Sequence, residues 1–359
     1  MSVYVALTRI YLPLKKYAPE WAERVVRIIL LISMQCLRRP KGHKDLVLSS
    51  CSAFIKSDKV LGRPVYLTIE PTNICDLRCP VCETGAGILN RQKGSMLLDS
   101  FKVIVDKLGE YTNTLLFYFM GEPFLNKNAY EMISYAAQRD IFVSSCTNGH
   151  FVDAKAIIES GIGEVSFQIG GLTQETHGKY RVRGDLRKTL DNLVATVEEK
   201  RRHPWSKTRV GVGFIVMKHN EHEVDGFLKL AREIRVDDAQ VISPCVRTVE
   251  QGRELLPRDG KYWIYDRKAL DRGILRPKLV PHNHCEWLYY SAVVLWNGDV
   301  VPCCRDAQGD YVMGNILEQD FGEIWNGKKF REFRRKVNSD QANLGLCQLC
   351  SGYGVPLLH

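Results

Sequence analysis

The sequence predicts an α/β fold in which six parallel strands alternate with helices in a partial barrel, followed by a small cysteine-rich unit. Three observations carry this. Between Pro64 and Ser243, short apolar runs alternate with segments of helical spacing, and strands of a parallel sheet, buried on both faces, read as such runs. Twelve cysteines occur in 359 residues, several of them closely spaced. At Cys285 the composition changes to Cys, Gly, Trp and short strand-like runs.

Residues 1–60 are basic and apolar. Pro19-Glu20 is a helix start signal, and Val25 to Leu37 is nearly all apolar, ended by Arg38, Arg39, Pro40 and Gly42. That run is shorter than the roughly 20 residues that span a bilayer, and Arg27 interrupts it. Two readings stay open: a helix docked on the main domain, or an interfacial helix giving residues 19–44 peripheral contact with a membrane.

Residues 61–243 hold the six units. The strands are expected at Tyr66–Ile69, Leu115–Phe119, Phe142–Ser145, Glu164–Phe167, Val210–Val216 and Gln240–Ile242. Helical spacing marks Phe101–Leu108, Ala129–Ala137 and Leu186–Val197. A barrel of this kind opens its active site at the carboxyl ends of its strands. Residues 244–284, with scattered Pro and charge, read as a connector, and residues 285–359 as a second domain.

Hydrophobic residues make up 45% of the chain, which requires a packed core and argues against disorder. The net charge of +9 permits acidic partners. No Lys/Arg run with interleaved aromatics stands out in the barrel region, so it is read as a generally basic surface and not as a nucleic-acid site. No signal peptide is recognisable in the opening residues. Many cysteines without a secretory signal point to metal–thiolate chemistry in a reducing compartment, the cytoplasm.

After the first strand comes Glu70-Pro-Thr-Asn-Ile-Cys75-Asp-Leu-Arg-Cys79-Pro-Val-Cys82. Three thiolates at CxxxCxxC spacing can hold three corners of a [4Fe–4S] cube and leave the fourth iron open to a chelating ligand. Zinc and buried structural cysteines are the competing readings, and zinc asks for a fourth ligand that the local sequence lacks. The motif resembles the signature of the radical S-adenosylmethionine (SAM) superfamily, with Val81 where many members have an aromatic. The resemblance implies a TIM-like (β/α)6 partial barrel, SAM bound to the open iron and its reductive cleavage.

Further segments extend the resemblance. Phe119-Met-Gly121-Glu122-Pro123 resembles the GGEP-type segment that meets the amino group of SAM. Cys146-Thr147-Asn148-Gly149 resembles a TNG segment that lines the SAM pocket, although these residues also suit a cap for the helix near Asp153. Gln168-Ile-Gly170-Gly171 departs from the family's Ser-x-Asp-Gly: Gln168 still bonds through its amide, but Gly170 cannot replace the carboxylate. Tyr180-Arg181-Val-Arg-Gly184 resembles the YR-x-G segment, making Arg181 the candidate for the SAM carboxylate against the plainer reading of a surface arginine.

In the C-terminal region, Asn297-Gly298 is a hairpin signal that returns Cys303 towards Cys285, and a helix around Phe321–Arg335 can return Cys347 and Cys350. Four thiolates saturate a cluster or a zinc ion. The pattern, with Gly314-Asn-Ile316 and Ile324-Trp-Asn-Gly327, resembles the SPASM/twitch domain and implies one auxiliary [4Fe–4S] cluster on Cys285, Cys303, Cys347 and Cys350. Cys303 is preferred to Cys304 by its spacing from Gly298. A structural zinc ribbon is the competing reading.

The resemblance implies an external electron donor such as flavodoxin or ferredoxin and hydrogen-atom abstraction from a substrate by the 5′-deoxyadenosyl radical. Dehydrogenation, epimerisation and peptide cross-linking all stay open. Cys146 and Cys245, at carboxyl ends of strands, are the candidate catalytic residues. A small-molecule, sugar-derived or lipid-linked substrate is favoured over a peptide. A maturase acting on a protein and a non-enzymatic metal-binding protein are the alternatives.

Overall fold

The computed structural model describes residues 41–278 and 282–352. The Val25–Leu37 run and Cys36 lie outside the described residues, as does most of the 19–44 segment. Among the described residues no helix is long and apolar enough to cross a membrane.

Six strands follow in chain order: β1 (Tyr66–Ile69), β2 (Thr114–Leu116), β3 (Phe142–Thr147), β4 (Glu164–Ile169), β5 (Arg209–Ile215) and β6 (Asp238–Ile242). Each pairs in parallel with the next. The expected β2 is shortened at its carboxyl end. After Phe117, whose N–H still donates to Ser144 O at 2.8 Å, the chain leaves the ladder to reach the β1 loop, where Glu122 N–H donates to Ile74 O at 2.9 Å.

The register divides the sheet into two unlike faces. Val143, Val165, Phe167, Ile169, Val210, Val212 and Phe214 are buried against the covering helices. The alternate positions carry Ser144 and Cys146 on β3, Glu164, Ser166 and Gln168 on β4, and Gly211 and Gly213 on β5, paired as Ser144–Glu164, Cys146–Ser166–Gly211 and Gln168–Gly213. Successive side chains of a strand point to opposite faces, so this second set lines the concave interior. A closed barrel fills its interior with branched apolar side chains. This one keeps a polar, small-residue lining.

The covering helices are Leu98–Leu108, Ala129–Ala137, Ala154–Glu159, Leu186–Arg202 and Val224–Ile234. Side-chain caps fix several starts: Asp153 accepts from Ala156 N–H at 2.9 Å and Asp185 from Lys188 N–H at 3.0 Å.

The C-terminal cysteine-rich segment is continuous with the same sheet. β7 (Ser291–Val294) adds in parallel to the free edge of β1, and β8 (Asp299–Val301) and β9 (Gly314–Asn315) follow antiparallel, giving nine strands in the order β6-β5-β4-β3-β2-β1-β7-β8-β9. The helix expected around Phe321–Arg335 is two, Phe321–Trp325 and Lys328–Asp340. They part at Asn326-Gly327, where the Asn326 side chain instead bonds both the N–H and the carbonyl of Val60 at 2.9 Å.

Of residues 244–284, expected as a connector, the described ones up to 278 pack as a wall. The helices Val249–Leu255 and Arg267–Asp271 bring Leu256, Ile264, Tyr265 and Leu270 into one apolar cluster with Leu77, Cys79, Val81 and Tyr180.

Candidate functional site

The loop after β1 carries Cys75, Cys79 and Cys82. Cys79 is buried, and Cys75 and Cys82 pack against the same apolar cluster. The loop turns back on itself through Cys82 N–H to Cys79 O, 3.2 Å, and Leu77 N–H points at Cys75 Sγ, 3.4 Å. Burial pushes the Cys75 thiol up to about 12, with Asp76, Glu122 and Cys79 adding to the shift. Burial likewise raises Cys79. Thiols that burial holds protonated, gathered on one loop in an apolar pocket, suit a cationic metal cluster, because coordination replaces the protons and supplies the missing charge. This donor set fits an iron–sulfur cluster.

The β2 loop nests against this loop. Gly121 has φ of +83°, and a Cβ there would lie 2.5 Å from Thr72 O and 2.7 Å from Ile74 O. Glu122 follows, almost wholly buried. Its Oε1 accepts from Thr147 Oγ1 at 2.7 Å and Phe124 N–H at 3.3 Å, and its Oε2 from Asn148 N–H at 2.8 Å. Burial raises its pKa to about 7 despite these donors. Pro123 begins the short 3-10 turn Pro123–Leu125.

Thr147 and Asn148 therefore tie β3 to the neighbouring loops and do not cap the next helix, which Asp153 caps. The Asn148 amide donates to Asp76 Oδ1 at 2.7 Å. His150 Nδ1 lies 2.7 Å from Asp76 Oδ2, while His150 Nε2 accepts from Asp185 N–H at 2.9 Å. The second bond fixes the tautomer: Nδ1 carries the proton and donates to Asp76.

Arg181 reaches this region from the far side. Its Nη1 is 3.9 Å from Cys79 Sγ, and its Nε is buried without a hydrogen-bond partner. A buried guanidinium N–H left open is an available anion contact. Gln168 bonds its neighbour Ser166 at 2.8 Å. Gly170, where the sequence departs from the family pattern, has its carbonyl held by Asn220 Nδ2 at 2.8 Å, and a Cβ there would lie 3.1 Å from Arg181 Cγ.

The second cysteine set is drawn towards Cys285. Burial, then the adjacent Cys350 and Cys347 thiols, pushes Cys285 up to about 12. Cys303 is raised by its bond to Cys304 and by burial, and it also feels Cys285. Cys303, Cys347 and Cys350 are thus each within electrostatic reach of Cys285, with Arg305 N–H 3.4 Å from Cys303 Sγ, and no disulfide forms among the described cysteines. Cys304 accompanies the set. Tyr118, two residues beyond β2 and half-buried, lies within electrostatic reach of both Cys146 and Cys304. Cys146 lines the interior; Cys245 is exposed after β6.

Several residues that sequence reasoning misses hold the site. Glu70 is completely buried and receives both ends of the Arg91 guanidinium, at 2.9 and 2.6 Å, while Arg91 Nε donates to Ala307 O at 2.6 Å. Arg247, beyond β6, pairs with Glu83 beside Cys82. Asp76 and His150 complete the set. Of these, Asp76 alone has a local signal, its position inside the cysteine motif.

Residues 69–231 match the family model of the Radical SAM superfamily, and residues 285–351 match SPASM, an iron–sulfur cluster-binding domain. A tungsten-containing aldehyde ferredoxin oxidoreductase cofactor-modifying protein of Pyrococcus furiosus is 24% identical over 309 residues, 75% of this chain and 83% of its own length. Among solved structures, BtrN in complex with AdoMet and 2-DOIA superposes with a TM-score of 0.51 at 20% identity, covering 83% of this chain and 96% of BtrN. Streptococcus suis SuiB bound to precursor peptide SuiA gives 0.60 at 13% identity, covering 88% and 74%.

Proposed function

We propose that this chain, a radical SAM enzyme carrying a SPASM iron–sulfur cluster-binding domain, removes a hydrogen atom from a polar small molecule held in the barrel interior. In this reading Cys75, Cys79 and Cys82 hold the SAM-binding [4Fe–4S] cluster, and Cys285, Cys303, Cys347 and Cys350 hold one auxiliary cluster. Residues 61–243 form the radical core, 244–284 its wall and 285–359 the auxiliary unit.

Bound SAM, reductively cleaved, supplies a carbon radical that abstracts hydrogen. The chain's own residues bind, orient and enclose. Gly121, Glu122 and Pro123 shape the loop that receives the amino group, with Thr147 and Asn148 holding the Glu122 carboxylate in place. Arg181 offers its open Nε–H to the SAM carboxylate. Gln168 faces the nucleoside side. The wall excludes water and stray hydrogen donors from the radical.

The observation that carries the substrate class is the polar interior face: Ser144, Cys146, Glu164, Ser166 and Gln168, with Gly211 and Gly213 leaving room. Such a lining suits a hydroxyl- or amine-bearing molecule. The fold likeness does not choose, since BtrN was solved with a small molecule and SuiB with a peptide.

The auxiliary cluster that Cys285, Cys303, Cys347 and Cys350 would hold could take up the second electron of a dehydrogenation, with the proton passing to a base. One observation favours a second reading, epimerisation. Burial, with Glu164 and Glu122, pushes the Cys146 thiol to about 12, so it remains S–H at neutral pH. An S–H on the interior face can return a hydrogen atom to the substrate radical, and one electron from the external donor with one proton would restore the thiol from its thiyl radical.

The test is 5′-deoxyadenosine formation by anaerobically reconstituted protein given SAM and dithionite, comparing wild type with Cys75→Ala. Product from wild type alone supports the proposal, and stimulation by polyol or amino-sugar pools, not peptides, supports the substrate class. Equal product from both proteins would overturn the ligand assignment.

A further inference from the structure

We propose that the amino-end rim of the barrel, opposite the mouth that holds the cysteine loop, is a docking surface for anionic phospholipid, with Trp205 as its interfacial anchor.

Trp205 stands at the tip of the turn His203-Pro204-Trp205-Ser206, closed by Ser206 N–H to His203 O at 2.9 Å, and it is 63% exposed. The turn is braced rather than loose: His203 Nδ1 bonds Glu199 O at 2.9 Å and its ring meets the indole edge-on at 5.3 Å. An indole held out on a braced turn, apolar in body and with a polar N–H, suits a membrane–water interface.

The surroundings are cationic. Arg201, Lys207 and Arg209 are exposed on the same segment, as are Arg232 in the last turn of the helix Val224–Ile234 and Arg235 just after it. The two segments are neighbours, because Arg201 Nη2 donates to Ile234 O at 3.0 Å and Lys200 pairs with Asp237 at 2.6 Å. Of the nearby acids, Glu199 pairs with Arg202, Asp237 with Lys200 and Glu233 with Lys229, while Asp238 accepts from the Gln240 amide at 2.7 Å. Exposed Glu198, and exposed Asp140 further along the rim, stand against five cations that make no ion pair among the described residues. In the sequence these charges read as a generally basic surface, because they come from two segments that only the fold brings together.

A second feature lies on the same rim. Lys41, the first described residue, bonds Arg139 O at 2.5 Å, and its carbonyl accepts from Asn113 at 3.2 Å. Arg139 and Asn113 precede β3 and β2. Adjacent strands are about 4.8 Å apart, so Lys41 is on the order of 10 Å from the start of β5 along this rim. The chain that runs into Lys41 carries the apolar Val25–Leu37 stretch and then Arg38 and Arg39. Apolar sequence followed by cations, joined to a rim that presents Trp and Arg, matches a bilayer interface with anionic headgroups. A nucleic acid would offer nothing to the apolar stretch. The mouth at the carboxyl ends would then face the aqueous phase, where a polar substrate and an electron donor reach it.

The test is flotation of the full-length chain with neutral phosphatidylcholine vesicles and with vesicles containing phosphatidylglycerol, at low and high salt. The expected result is salt-sensitive binding to the anionic vesicles. Trp205→Ala should weaken it at least tenfold, and the triple variant Arg201→Gln, Lys207→Gln, Arg209→Gln about a hundredfold, each cation contributing about fivefold. These positions are exposed, so unchanged far-ultraviolet dichroism is the folding control. Binding that persists undiminished in both variants would overturn the proposal, as would absence of wild-type binding. Preferential capture by RNA or DNA over anionic vesicles would also overturn it.

Discussion

The Glu122 carboxylate lies 2.8 Å from the backbone N–H of Asn148, joining the β2 loop to the end of β3. The acid is buried, and burial lifts its pKa from 4.5 to about 7. The folded protein therefore holds this proton more tightly than the unfolded chain does. The stability it contributes is full below pH 4.5 and is lost as pH rises to about 7. A shift of this size corresponds to about 3 kcal/mol across that window. Glu122→Gln cannot titrate, and its amide nitrogen faces a donor, which costs about 1–3 kcal/mol. The variant should be the less stable protein at pH 5 and recover relative to wild type towards pH 7.5, as read by urea unfolding across that range. Parallel stability curves would show that Glu122 is not the titrating group.

Gly121 is the hinge of the same contact. Its φ of +83° and the 2.5 Å that would separate an added methyl from Thr72 O leave no room for a side chain. Gly121→Ala should cost about 2 kcal/mol or more and displace Glu122 from Ile74. Chemical unfolding measures the first, and a lowered yield of reconstituted cluster absorbance the second. A variant as stable as wild type would mean that the β2 loop is free to move.

How far the sequence discloses this architecture depends on how local each signal is. The apolar runs of β1 and β3 to β6 are one-dimensional patterns and stand where the spacing puts them. The CxxxCxxC loop and the hairpin at Asn297-Gly298 are equally local. The parallel pairing of β7 with β1 is not, since it joins Ser291 to Tyr66 across the whole barrel. Nor is Arg334, which reads as one more cation on a basic helix. It is buried beneath Trp325 and donates to the carbonyls of Trp325 and Leu288. Desolvation drops its pKa to about 9. Long-range partners of charged side chains carry no periodicity, so the Glu70–Arg91 and Glu83–Arg247 pairs are equally illegible.

The Glu70–Arg91 pair makes a prediction about coupling between the two cysteine regions. Glu70 directly follows β1, Arg91 follows the Cys82 loop, and Arg91 Nε reaches Ala307 beyond β8. Removing one partner of a buried pair leaves an uncompensated charge and costs about 3–5 kcal/mol. Arg91→Ala should therefore lose stability in that range. Arg91→Lys should lose less, because a lysine keeps the charge but cannot make both carboxylate bonds and the carbonyl bond. Limited proteolysis should cut the 83–96 loop faster in both. If Arg91→Ala unfolds within about 1 kcal/mol of wild type, the pair does not fasten the loop.

The two cysteine sets predict separable metal loading. Cys75 sits on a loop walled by Leu77, Val81 and Tyr180, while Cys285 sits among Cys303, Cys347 and Cys350 beside the start of β7. No cysteine is shared, so losing one set should leave the other able to load. After anaerobic reconstitution, wild type should carry about eight irons per chain and the triple variant Cys75→Ala, Cys79→Ala, Cys82→Ala about four. The variant Cys347→Ala, Cys350→Ala should also carry about four. Its remaining cluster should change its electron paramagnetic resonance spectrum when SAM is added, because only an open iron can take a new ligand. The triple variant's cluster, with four thiolates, should not respond. Should SAM perturb the triple variant instead, the open iron belongs to the C-terminal set and the two assignments exchange.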